Sequence, residues 1–295
     1  MADFEALRGT AVRAARAGAA VLAGHRDGID VGDWESKRAA DFVTYVDREA
    51  EQEVLGVLRA EHPGHAVLAE EGTEGTALAE AAADAAEILS RRGPVWVVDP
   101  LDGTTNYLHG FPAYAVSVAA VMDGEPVAAA VADAAHGVLW DAHAGGGAAR
   151  DGEAVSVSSI ETLAHALIGT GFPFKTPDRI GEYLRLLEAA LRRTSGVRRA
   201  GAAALDLCWV ADGRLDGFFE LDLAPWDIAA GVLLVREAGG LATDFVGRTP
   251  VAGSAGVLAG NPAIHGLLGA LVRHAVVPTD TIRGGEDVSE AAAPG

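Results

Sequence analysis

Asp99 and Asp102 stand three residues apart at the end of a short apolar run, and a glycine and two threonines follow directly, in the stretch WVVDPLDGTTNYLHGFP at 96–112. Two carboxylates this close suit a hard divalent cation, which takes oxygen ligands. Gly103, Thr104 and Thr105 suit the first turn of a helix, whose unpaired N–H groups can hold an anion. Carboxylates alone would repel a phosphate, but bound cations reverse that local field, so the two halves together imply metal-assisted phosphate chemistry. An Asp-Pro-x-Asp-Gly stretch standing alone is commonly only a turn. The reading therefore depends on what else converges on it.

Three further acids fall at the ends of expected elements. Glu70 ends the apolar run 66–69 as Asp99 ends the run 95–98, and ligand sites in layered α/β folds gather at such strand ends. Asp47 and Asp227 fall at expected helix starts, where capping is the ordinary reading. His109, in an apolar helical stretch, reads as a core residue. Glu71 reads as solvated or as support for the site, Trp226 as packing, and the single cysteine, Cys208, as core.

The elements that must position these residues follow from periodicity. Residues 3–25 read as an amphipathic helix, Gly28 to Trp34 as a breaker, Asp47 to Arg59 as a second helix and 66–69 as a buried strand. A helix is expected over 76–92, then a strand from Val95 that Pro100 ends by removing a ladder donor, so that Asp99 is its last residue. From Ala115 to Ser158, apolar runs separated by Asp123-Gly124, Gly137, Gly145 to Gly147 and Asp151-Gly152 spell an antiparallel meander. Strand Ala166–Thr170 precedes a helix capped by Thr176-Pro177, with Ile180, Tyr183, Leu184, Leu187 and Leu191 on one face. Then come Val197 to Gly201, a helix from Ala202 to Asp212, strand Gly217–Leu221, helix Trp226–Ala238, strands near Leu241 and Val257, and a last helix after Asn261-Pro262. Residues 276–295 have no apolar period and read as a disordered acidic tail.

The composition narrows the partners. With 49% hydrophobic residues the chain can bury a sizeable core, and a formal charge of −19 argues against nucleic acid or an anionic membrane as partner. One cysteine allows no internal disulfide. MADFEALRG lacks the basic start of a signal peptide and no apolar run has membrane length, so a cytoplasmic protein is expected. No GxGxxG follows a first strand, which leaves dinucleotide binding a poor third reading.

DPLDGTTNYLHGFP resembles the signature of the inositol monophosphatase family of lithium-sensitive, magnesium-dependent sugar phosphatases. DFVTYVDREAE, VLAEEGT, RAGAAALDLC and PWDIAAGVLLVREAGG resemble four further motifs of that family, in family order, over roughly residues 3–274. Ala69 stands where glycine is usual, Ala202 where threonine is usual, and Lys37 one place from the usual lysine. The resemblance implies a layered α-β-α-β-α sandwich over 1–275 with two lobes meeting near residue 160. It implies two or three Mg²⁺ per site, held by Glu70, Asp99, the Leu101 carbonyl, Asp102 and Asp227, with Asp47 and Thr104 as the dyad that orients and deprotonates water and Glu70 assisting. Asp102, Gly103, Thr104, Gly201, Ala202, Ala203 and Glu220 would meet the substrate, and the chain would form a homodimer. The substrate it favours is inositol monophosphate. Histidinol phosphate, fructose bisphosphate or a nucleotide phosphate is the runner-up, and a binding or regulatory role on the same fold is the reading outside catalysis.

Overall fold

A computed structural model describes residues 3–26, 35–38, 41–73, 85–252 and 256–276. Helix α1 (Phe4–His25) begins where the Asp3 side chain accepts the Ala6 N–H, and it buries Leu7, Ala11, Ala14, Ala15 and Leu22. A short antiparallel pair, β1 (Glu35–Arg38) and β2 (Asp41–Val43), leads into α2 (Tyr45–Glu61). Gly18 lets the two helices and the sheet close up, since a Cβ there would come 2.8 Å from Val54 and 3.2 Å from Val116.

Strand β3 (Ala66–Ala69) pairs parallel with β4 (Val95–Asp102), and β5 (Ala115–Met122) to β9 (Glu153–Ala154) follow as the antiparallel meander, giving a seven-stranded sheet in sequence order. The meander's turns use the expected residues: Asp123 and Gly124 have φ of 54° and 80°, Asp151 and Gly152 of 50° and 83°, the paired positive values that a right-twisted two-residue hairpin requires. A second sheet has the order β11-β10-β12-β14-β13, built from β10 (Leu167–Thr170), β11 (Gly196–Arg198), β12 (Gly217–Leu221), β13 (Leu241–Asp244) and β14 (Gly256–Gly260).

Every side chain of β4 is buried, so this sheet must be covered on both faces. Trp96 and Val98 face a core shared with α1 and α2, whereas Val95 and Val97 face one shared with α5 (Ala203–Ala211) and α6 (Pro225–Glu237). Phe218 of the second sheet joins that middle core, while its neighbour Phe219 joins a third with α4 (Ile180–Leu191) and α7 (Pro262–Val276). The layers are therefore α-β-α-β-α, as expected. No described helix is long and apolar enough to cross a membrane.

Several local expectations need correction. Pro100 does not end β4: pairing breaks after Asp99↔Ser117 and resumes at Asp102↔Ala115, so the proline sits in a bulge, where its missing donor costs no ladder bond. In α4 the buried residues are Tyr183, Leu186 and Ala190, whereas Ile180, Leu184 and Leu191 are exposed. Thr176 caps nothing there; its hydroxyl donates to Asp222 and a 3-10 turn, Pro177–Arg179, precedes the helix. His109 is exposed just beyond the short helix α3 (Thr104–Leu108), not a core residue. Glu71 is buried, and its N–H donates to Glu51. The breaker at 28–34 lies outside the described residues, as does the expected tail apart from Val276, which ends α7; of the helix expected at 76–92, residues 85–89 are helical, 90–92 are not, and 76–84 lie outside the described residues.

Candidate active site

The bulge in β4 turns Asp99 and Asp102 to one point. Asp99 Oδ1 accepts the Leu101 N–H at 2.9 Å, and Asp102 Oδ2 accepts the Ala204 N–H at 2.7 Å, at the first turn of α5. Glu70 follows β3, its N–H donating to the Val98 carbonyl at 3.2 Å beside Asp99. Asp227 lies in the first turn of α6, where its Oδ2 accepts the Ala224 N–H at 2.7 Å. Burial first, then the charges of Glu70, Asp102 and Asp227, hold the Asp99 carboxyl well above the usual range. Asp102 is pushed up to about 8 by burial and Asp227, against the N–H bonds from Ala204 and Ala203 that favour its charge.

Three of these carboxylates come from neighbouring strands of the seven-stranded sheet and the fourth from the middle helix layer. Among the described residues no three His, Cys, Asp or Glu side chains close to ligating distance of one another. The donor chemistry nevertheless fits a hard cation: the oxygens belong to carboxylates, and the charges acting most on Asp99 are all of one sign. The Leu101 carbonyl, with its side chain 1% exposed, lies in the same turn and accepts the Thr104 hydroxyl at 3.0 Å.

Asp47 caps α2 and also faces the candidate site. Its Oδ2 accepts the Thr44 N–H at 2.9 Å and the Thr44 hydroxyl at 2.6 Å, and its Oδ1 faces the Thr104 hydroxyl at 3.5 Å. Capping thus fixes the carboxylate's orientation and leaves its other oxygen toward the site. The two readings of the sequence do not compete here. Asp227 likewise caps its helix while its charge acts on Asp99 and Asp102.

Gly103 opens α3 with φ of 90°, and a Cβ there would come 2.7 Å from the Ala113 carbonyl, so only glycine fits. Gly201, with φ of 91°, leads the backbone of Ala202 and Ala203 into α5 opposite. Asn106 joins the two segments by donating to the Ala113 carbonyl at 2.7 Å and the Ala200 carbonyl at 2.9 Å. Glu220, in β12, is held well above the usual range by burial first and then by Asp206 and Asp227, with Arg199 opposing.

Sequence reasoning passed over Thr44, Asn106, Arg199 and Asp206. Asp206 is 1% exposed and its Oδ1 has no hydrogen-bond partner among the described residues. The signal was an acid inside the apolar helix AALDLCWVA, set against Gly169 and Gly171 two residues apart on β10 and just beyond it. A Cβ on Gly169 would come 3.3 Å from Asp206, and one on Gly171 would collide with the Glu220 carboxylate. A strand face stripped of side chains makes room for two acids.

The chain matches the model of the inositol monophosphatase family over residues 3–276. It is 43% identical over 253 residues to a Pseudomonas aeruginosa protein named Nus factor SuhB, covering 85% of this chain and 90% of that one. Among solved structures, the extragenic suppressor protein suhB of Bartonella henselae superposes with a TM-score of 0.80 at 35% identity, covering 91% of this chain and 98% of that one. An inositol monophosphatase from Anabaena superposes with a TM-score of 0.76 at 33% identity, covering 94% and 98%.

Proposed function

Because this chain belongs to the inositol monophosphatase family, we propose that its site hydrolyses a phosphomonoester of a polyol, inositol monophosphate foremost, releasing inorganic phosphate. The observation that carries the proposal is the burial of Asp99 and Asp102 among other carboxylates beside the start of α3. Glu70, Asp99, the Leu101 carbonyl, Asp102 and Asp227 would hold Mg²⁺, which when bound neutralises phosphate charge and activates water. Gly103 and Thr104 offer N–H groups to the phosphate. Asp47, fixed by Thr44, accepts a proton from the attacking water, which the Thr104 hydroxyl orients. Glu220 and the Gly201–Ala203 backbone meet the alcohol that leaves. In this reading the work is positioning and charge stabilisation, as phosphoryl transfer requires.

The deciding experiment is phosphate release from inositol monophosphate, histidinol phosphate, fructose bisphosphate and adenosine bisphosphate, each with Mg²⁺ and with chelator. Release from inositol monophosphate that stops in chelator is expected, with inhibition by millimolar Li⁺ and a homodimer in light scattering as the accompanying family traits. Hydrolysis of none of the four would favour the second reading, a binding or regulatory role, which the name of the Pseudomonas relative supports.

A further inference from the structure

A cavity of about 320 Å³ opens at the entry end of β3 and β4, between residues 63–66 and 91–95. The chain carries 42 acids against 23 lysines and arginines, yet the charge on this lining comes from Arg91, Arg92 and His65, with no acid among the described residues that form it. Both arginines are exposed, and neither side chain makes a hydrogen bond or ion pair among the described residues. Two adjacent guanidiniums in an acidic chain would ordinarily find carboxylates.

His65 is the third basic group. Its ring stacks on that of His62, with 4.6 Å between centroids and 14° between planes, and His62 Nε2 in turn meets the Thr10 hydroxyl at 3.0 Å. The orientation of the imidazole is therefore set by its neighbours. Its Nδ1 is shut off from solvent and has no hydrogen-bond partner among the described residues, a state that costs stability until something supplies a partner. The backbone is bare beside it: a Cβ on Gly64 or Gly93 would meet nothing within 4 Å.

The cavity is separate from the candidate active site. Ala66 and Val95, the first residues of β3 and β4, pair in register and both line it, whereas Glu70 and Asp99 stand toward the other end of the same two strands. Four residues of extended chain separate Val95 from Asp99, about 13 Å.

We propose that this cavity binds the phosphate group of a small phosphorylated compound, at a second site remote from the acids. A phosphate offers each guanidinium paired acceptor oxygens and carries the charge that this lining is suited to receive. The volume lies at the small end of ligand sites, which suits a small molecule. The inference holds whether or not the acids hydrolyse anything.

The test is calorimetric titration of the full chain with pyrophosphate at low ionic strength and without added divalent metal, so that the carboxylates at the far end of the strands repel the probe. Wild type should bind one equivalent with Kd of about 0.1–1 mM. The double variant Arg91→Gln, Arg92→Gln should bind at least about tenfold more weakly. Gly64→Leu, which fills the cavity without changing charge at a residue whose φ lies outside the left-handed region, should weaken binding as much. Arg192→Gln removes one charge from an exposed ion pair elsewhere and should change Kd by less than about twofold. Absence of binding by wild type, equal weakening by Arg192→Gln, or equally tight binding of succinate overturns the inference. Circular dichroism on each variant confirms that the fold is kept, and Arg91→Lys with Arg92→Lys should recover part of the lost affinity.

Discussion

Two pairs of acids face each other in this molecule, and they are held differently. Asp99 and Asp102 leave the seven-stranded sheet, each with one oxygen fixed by backbone N–H, and the charges acting on them are other carboxylates. Asp206 and Glu220 lie against the glycines of the second sheet, with Arg199 as a nearby counter-charge and an Asp206 oxygen left without a donor among the described residues. Acids that are rigid and mutually repelling are built to meet a cation. Acids that are partly balanced and less firmly tied suit hydroxyl groups that arrive and leave.

The comparison breaks most decisively at Asp99. Asp99→Asn should lower kcat/KM by about a thousandfold or more, the consequence of losing several kcal/mol of charge stabilisation. A fall under tenfold, with folding intact by circular dichroism, would move the catalytic centre elsewhere. Next comes Thr104, whose hydroxyl bridges Leu101 and Asp47. Thr104→Ala should lower kcat by about a hundredfold with Mg²⁺ affinity preserved, because water positioning is lost and no ligand is. Parallel loss of metal binding would make Thr104 structural instead.

On the other side of the comparison, Glu220→Ala should weaken kcat/KM for inositol monophosphate by about ten- to a hundredfold, as losing a charge-assisted hydrogen bond of about 1.5–3 kcal/mol implies. An aryl phosphate has no ring hydroxyl to lose and should be nearly unaffected. If both fall together, Glu220 belongs functionally with Asp99 and the contrast collapses.

The smallest effect comes from an acid that behaves oppositely to all of these. Glu61 is lowered to about 2, mainly by its hydrogen bond with Arg13, at 2.6 Å. A depressed folded-state value stabilises above the ordinary carboxylate range, and that stability fades as pH falls toward about 2. Both side chains are substantially exposed, so Glu61→Gln should cost under about 1 kcal/mol at pH 7. The gap in melting temperature between wild type and variant should narrow from pH 7 to pH 3; a gap that widens would contradict the pairing.

How far the sequence foretells this arrangement depends on what each residue answers to. Asp99, Asp102 and Gly103 were legible because local chain geometry imposes their types: a glycine at positive φ and acids at a strand end. The order of the layers came from the resemblance to the family, whereas the burial of β4 on both faces was legible from its continuous apolar run. The bulge at Pro100 was not, because proline also suits a strand end, and only pairing with β5 decides between them. The buried face of α4 was misread because Leu184 and Leu191 share a helical period with Tyr183, and nothing local says which stripe faces the sheet. Asp206 and Arg199 escaped for the same reason: their meaning lies in β10 and in the rings of Phe172 and Phe174 beneath the guanidinium, far away in the chain.

The bond from the Ala204 N–H to Asp102 has an evolutionary consequence. It makes the wall proposed to meet the alcohol and the acid proposed to hold a cation a single mechanical piece, joined at 2.7 Å. A lineage adapting to a new substrate cannot shift the backbone of residues 201–204 without dragging that acid along. Its freedom is confined to side chains hung on an unmoving frame, at positions such as Ala202 and at the rim beyond.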